Sequence, residues 1–246
     1  MHGILPTVVF PNGMRPRLTW HGLGIMGSSE EIDVWAEEEK SEKEDPGINL
    51  DSAILNGGLD SLYLEMLTWV EELQVGKFPD PEPRRLHKAA VNHQRPVFFA
   101  EPDMDDELWA EYLGREAKAM TKPWKLFRIV FTSRRWRKTI KKMRKNVVEQ
   151  PQREPDGLQA ASALAATWWS LNRENSDAEL SAEKDLRFAA RLRGGLAKLR
   201  QNHGSEAVLL VPIQQAWRES MLNALNSNPK PEESSSLVVA SGVEEE

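Results

Sequence analysis

The chain has no cysteine. A disulfide framework, a thiolate metal site and a cysteine nucleophile are therefore excluded, and the absence fits a reducing compartment. Long apolar runs are missing as well. The strongest, near Leu126 to Phe131 and Ala207 to Ile213, fall far short of the roughly 20 residues needed to span a bilayer. The opening Met1-His2-Gly3-Ile4-Leu5-Pro6 has neither the basic start nor the apolar core of a signal peptide. The expected setting is cytoplasmic, with any membrane association peripheral. His2, His21, His87, His93 and His203 are scattered without metal-ligand spacing, and no Gly-x-Ser-x-Gly elbow, phosphate-binding Walker loop or kinase motif set occurs. No metal and no cofactor are expected on these grounds.

What is present is a 246-residue chain, 40% hydrophobic and 28% charged, with nine tryptophans. Those values suit one folded domain with an aromatic-containing core. Residues 7–10, 17–20, 97–100 and 207–211 read as short buried strands, each brief, apolar and close to Pro or Gly. Helical spacing dominates the intervals. Leu59, Leu62, Tyr63, Met66, Val70 and Leu73 share one face, as do Leu108, Trp109, Tyr112, Leu113 and Met120. Helices are also predicted over 157–171, 178–202 and 214–225, the second stopped by Gly204 and carrying a Gly194-Gly195 pair that either weakens the helix or marks close packing. The expected fold class is α/β: a small sheet with predominantly helical layers, forming a single domain over residues 1–226. From Ser227 the composition turns to Ser, Glu and Pro, which predicts a disordered acidic tail over 227–246.

Three residues are candidates for catalysis. Glu101 follows a predicted strand and precedes a helix, the place where ligands gather in α/β folds. The neighbouring Asp103, Asp105, Asp106 and Glu107 also suit plain helix capping, with Asp103 as the cap. His21 precedes Gly22-x-Gly24-x-x-Gly27, a spacing that satisfies the dinucleotide fingerprint, but no second strand with a terminal acid follows at the required distance. Asp185 opens the third candidate position, in Glu183-Lys184-Asp185.

The net charge of −6 conceals a segregation. Residues 122–145 hold eleven Lys and Arg and no acid, leaving 21 basic against 38 acidic residues elsewhere. Within that block Trp136, Ile140, Met143 and Val147 recur at helical intervals behind a Thr132-Ser133 start, while Arg134, Arg135, Arg137, Lys138, Lys141 and Lys142 occupy the remaining circumference. This pattern predicts a basic amphipathic helix. Its cationic face is either solvated and neutralised within the fold or a binding surface for an anionic membrane or nucleic acid, with Trp124, Phe127 and Phe131 upstream as interfacial anchors. Self-association into a homo-oligomer stays open.

The order of elements resembles the TraB/PrgY group, to which the Tiki-type proteases are related. The likeness rests on the acidic Glu101-Pro102-Asp103 after a strand, the helix and the apolar, basic stretch that follow it, and Glu183-Lys184-Asp185 on a long helix before Val208-Leu209-Leu210-Val211. Family members carry Gly-x-x-His on the strand that follows that helix and an early Gly-Thr-x-His. Here those places read Pro212-Ile213-Gln214-Gln215 and Trp20-His21-Gly22. The resemblance thus implies a divergent, non-catalytic regulatory or binding protein. The alternative is a hydrolase of another type using carboxylates at strand ends.

Overall fold

Side-chain alternation along two three- to four-residue strands sets the architecture. In β2 (Gly22–Ile25) and β3 (Val97–Phe99), Leu23, Ile25, Val97 and Phe99 point to one face of a sheet and Gly22, Gly24 and Phe98 to the other. The computed structural model describes residues 1–122, 131–146 and 157–237. β2 pairs in parallel with β3 (Leu23 opposite Val97) and with β4 (Leu209–Leu210), and β6 (Ser236–Leu237) lies antiparallel on β3. Separated from β4 by Val211 alone, β5 (Pro212–Gln214) pairs in parallel with β1 (His2–Ile4) as a second small sheet. Residues 209–214 therefore run through both sheets, with the His2 amide donating to the Val211 carbonyl.

Helices cover both faces. α1 (Glu31–Glu44) and α4 (Pro81–Asn92) close the Leu23–Phe99 face through Trp35, Leu86 and Ala90. α5 (Glu107–Met120), the 26-residue α8 (Ala178–His203) and α9 (Arg218–Asn226) close the other through Trp109, Phe188, Leu192 and Met221. α2 (Ile48–Leu55), α3 (Gly58–Leu67), α6 (Thr132–Asn146) and α7 (Gly157–Asn175) form an adjoining helical layer around Tyr63, Leu67, Trp136 and Leu158. Each fully buried Leu or Phe contributes roughly 1.5–3 kcal/mol. α8 is capped by Asp177, which accepts from the Glu179 and Leu180 amides, and ends at Gly204 with φ +71°. Among the described residues no helix is long and apolar enough to cross a membrane.

The helix-dominated α/β class is what forms, but several local expectations change, among them the helix over 214–225, which begins only at Arg218. Residues 7–10 are not a strand: Val8 and Phe10 are buried, yet the backbone turns at Thr7 (φ +57°), with the Val9 amide bonded to Gln74. Residues 17–20 are likewise irregular, and the strand begins at Gly22. The glycines there do not form a phosphate loop. Cβ atoms built at Gly22 and Gly24 fall 2.8 Å from Leu199 Cδ1 and 2.9 Å from Leu192 Cδ2, so the missing side chains admit α8 against the sheet. The cap of α5 is Asp106, which accepts from the Trp109 amide at 2.7 Å. Asp103 instead accepts from the Ser29 hydroxyl at 2.7 Å.

The first part of the tail expected from Ser227 is ordered against the domain. Residues 228–237 return along α8: the Glu232 amide donates to the Ala190 carbonyl, Ser234 is buried, and β6 extends the sheet. Buried Arg191 donates to the Glu233 carbonyl and the Ser235 hydroxyl on this strap, and to the carbonyls of Phe99 and Glu101. The rest of the predicted tail, 238–246, lies outside the described residues.

Truncation after Asn226 strips Arg191 of two acceptors inside the protein. We expect it to destabilise the domain by about 1–3 kcal/mol, read as a lower urea midpoint than that of the full chain. Equal midpoints would mean that the strap contributes nothing. Gly24→Ala is expected to cost about 1–3 kcal/mol by overpacking, whereas a glycine serving only a ligand loop would leave the midpoint unchanged.

Candidate functional site

The parallel strands direct their carboxyl ends to one side, and the loops leaving β2, β3 and β5 there enclose a cavity of about 300 Å³. Gly27 and Glu31 come from the turn into α1. A Cβ at Gly27 would stand 2.5 Å from Glu31 Oε2, so this glycine lets the carboxylate fold back over the strand end. Glu101 follows β3, held by two loop contacts: its carbonyl accepts from Arg191, and the Ser29–Asp103 bond ties its loop to the β2–α1 turn. Asp80 enters from the residue before α4, Lys184 from α8, and Gln214 with Trp217 from the end of β5.

These carboxyls sit in a poor environment for charge. Burial raises the pKa of Glu31 and of Glu101; at Glu101 Lys184 pulls back and Glu31 pushes further up. Burial pushes Asp80 up to about 7, with the Glu82 and Glu31 carboxylates adding to the rise. Asp80 keeps part of its surface exposed, but its Oδ1 is closed off from solvent and has no hydrogen-bond partner. Gln214 Oε1 is in the same condition. Glu82 nearby shows the contrast: burial works against its charge, yet hydrogen bonds with His2 and Arg85 hold its pKa at about 2.

The three sequence candidates separate. Glu101 lines the cavity. Asp185 is buried beneath it, accepting from Trp217 Nε1 and Arg173 Nη2, both at 2.8 Å, and so anchors the tryptophan wall rather than facing the space. His21 lies at the opposite, amino-terminal edge of β2, where Nδ1 accepts from the Val208 amide and the ring sits 4.6 Å from that of His203. Asp80, Glu31 and Lys184 were not singled out from sequence. Asp80 sits in a proline-spaced stretch, 76–83, that reads as a stiff connector, and only the fold brings it to the strand ends. Among the described residues no group of three or more His, Asp or Glu side chains is placed to hold a metal ion.

The basic segment makes a second site. On α6, Trp136 is buried and Ile140 half-buried against α7, and Arg135 pairs with Glu174 and Asn175. Arg134, Arg137, Lys138, Lys141 and Lys142 are exposed and make no ion pair with a described residue. Phe131, just before the helix, is 56% exposed. Trp124, Phe127 and Val147 fall outside the described residues.

Comparison with known protein families, curated proteins and solved structures finds no match to this chain.

Asp80 generates a pH prediction. A carboxyl with a raised folded pKa contributes stability below its unfolded value near 4 and loses it as the pH climbs through about 7. Asp80→Asn lacks that penalty, so its stability relative to the parent is expected to rise between pH 5 and pH 8. A gain of about 1 kcal/mol corresponds to roughly 2–4 °C in Tm for a domain of this size. Glu39 and Glu82, held at about 2 by their basic partners, stay ionised throughout that range and do not confound the measurement. A Tm difference that does not change with pH would show that Asp80 ionises freely.

Proposed function

We propose that this chain is a non-catalytic binding protein that docks through α6 on an anionic membrane surface. The observation that carries the reading is the exposed set Arg134, Arg137, Lys138, Lys141 and Lys142, which makes no ion pair with a described residue, on a helix fixed to the body by Trp136. Such a face is costly. The spacings 134/138, 137/141 and 138/142 each set like charges four apart, at about 0.2–0.5 kcal/mol apiece, and Arg134 opposes the helix dipole. Stability alone gives no reason to keep it. An anionic leaflet returns about 1 kcal/mol for each cation brought near it, which outweighs that cost.

Phe131 favours a membrane over a polynucleotide. Three residues ahead of Arg134, it continues the cationic stripe with an exposed ring suited to the headgroup region. The non-catalytic part of the reading is supported by the separation of Glu101, Asp185 and His21, which a hydrolase built on them would bring together. In this reading the TraB/PrgY likeness is one of element order, in a chain without that group's histidine motifs.

Co-sedimentation with vesicles tests it. The full chain should bind phosphatidylserine-containing vesicles at low salt, release them at about 0.5 M salt, where screening falls below about 5 Å, and ignore neutral vesicles. Replacing Arg137, Lys138, Lys141 and Lys142 with Glu should abolish binding while leaving Tm within a few degrees. Vesicles ignored at low salt would remove the proposal, and retention of nucleic acid in their place would reassign the face to phosphodiesters.

A further inference from the structure

We propose that the cavity between α7, β1 and the start of α9 binds a small monocarboxylate with an apolar body. Arg218 and Ser162 hold the carboxylate, and Leu5, Phe10, Met14 and Leu158 receive the body. This site is separate from α6 and does not depend on the membrane reading.

One hydroxyl points to an occupant. Ser162 is only 9% exposed on α7, flanked by Ala161 and Ala163, and its Oγ makes no hydrogen bond with a described residue. A helical serine or threonine can return its hydroxyl to the carbonyl four residues back. Thr167 on the same helix does so, donating to Ala163 at 2.7 Å. Ser162 does not, and its Oγ is not among the unpartnered atoms that are closed off from solvent, so it opens into the cavity the residue lines. Its partner is therefore whatever fills that space. Buried polar groups are satisfied with few exceptions, and alanine, the residue on either side, would fill the position without an unmet group.

Arg218 gives the sign of the charge. It lines the same space and makes no ion pair with a described residue, and no carboxylate lines the cavity with it. Glu82, which is bonded to the His2 ring, is itself buried and paired with Arg85. The remaining wall is apolar. Leu158 stands one turn before Ser162 on the same face of α7, and Leu5 and Phe10 are buried opposite open space, the Phe10 ring meeting His2 edge-on at 5.8 Å. A volume of about 260 Å³ gives room for roughly nine heavy atoms. One planar guanidinium and one hydroxyl match the two oxygens of a carboxylate. A phosphate dianion would leave its further oxygens against leucine and phenylalanine, where they lose water and gain no donor.

Benzoate provides the probe, with neutral benzamide and truncated acetate as controls. Calorimetric titration of the full chain at pH 7 and low ionic strength should show saturable benzoate binding, with each control at least tenfold weaker. Arg218→Gln should weaken benzoate at least tenfold. Ser162→Ala should weaken it severalfold while the Tm stays level or rises. Arg218 is exposed, and Ser162 gives way to the residue type beside it, so both variants are expected to fold. The quadruple Glu variant of α6 should bind benzoate as the parent does, so failure of the membrane reading leaves this result untouched. The assignment would be overturned by no saturable benzoate binding up to about 10 mM, or by equal affinity for benzoate and either control. Benzoate binding lost with the α6 charges, or unaltered by Arg218→Gln or by Ser162→Ala, would overturn it equally.

Discussion

The closeness of α8 to the sheet is the constraint on which the other features depend. Two strand positions without side chains, Gly22 and Gly24, receive Leu199 and Leu192, and one helix position, Gly195, receives Phe98 at 2.9 Å from where a Cβ would stand. Notch and knob alternate across the interface, so neither partner can shift along the other. From that distance Arg191 reaches the carbonyls of Phe99 and Glu101, and Asp185 reaches the Trp217 indole. A helix one methyl farther out would leave a buried guanidinium and a buried carboxylate short of their partners, each a cost of several kcal/mol.

The strap over 228–237 completes the same interface from outside. Gly194 leaves room for the Glu232 backbone, whose carbonyl would lie 1.8 Å from a Cβ at that position. Arg187 pairs with Asp106 at the start of α5 and with Glu232 on the strap, linking three elements at one guanidinium. The adjacent glycines on α8 thus serve opposite directions: Gly195 faces the sheet and Gly194 faces the returning chain.

Charge is concentrated in two places of opposite sign, and both run against stability. The carboxyl ends of the strands gather Glu31, Asp80 and Glu101 where burial penalises ionisation. α6 presents exposed cations that make no ion pair with a described residue and whose neighbours repel. Ion pairs elsewhere include Glu39 with Arg84 and Lys88, Glu82 with Arg85, and Arg115 with Glu183.

Periodicity and composition determined much of the local structure. The helices over 107–120, 157–175 and 178–203, the stop at Gly204 and the burial of Trp136 follow from spacing, because an amphipathic helix needs only neighbours three and four residues apart to declare its buried face. The strand Val97–Phe99 and the position of Glu101 behind it were legible for the same kind of reason. Strands β1 and β2 were not. His2–Ile4 is stabilised by a partner more than 200 residues away, and Gly22–Ile25 carries glycines that intrinsic preference assigns to loops. The apolar residues 7–10 look like a strand but fill the helical layer from an irregular backbone, which burial permits and pattern cannot distinguish. The convergence of Asp80, Glu31, Lys184 and Gln214 on Glu101 belonged to tertiary structure alone, since it arises from four loops and a helix surface that approach only when α8 settles into the glycine notches of β2.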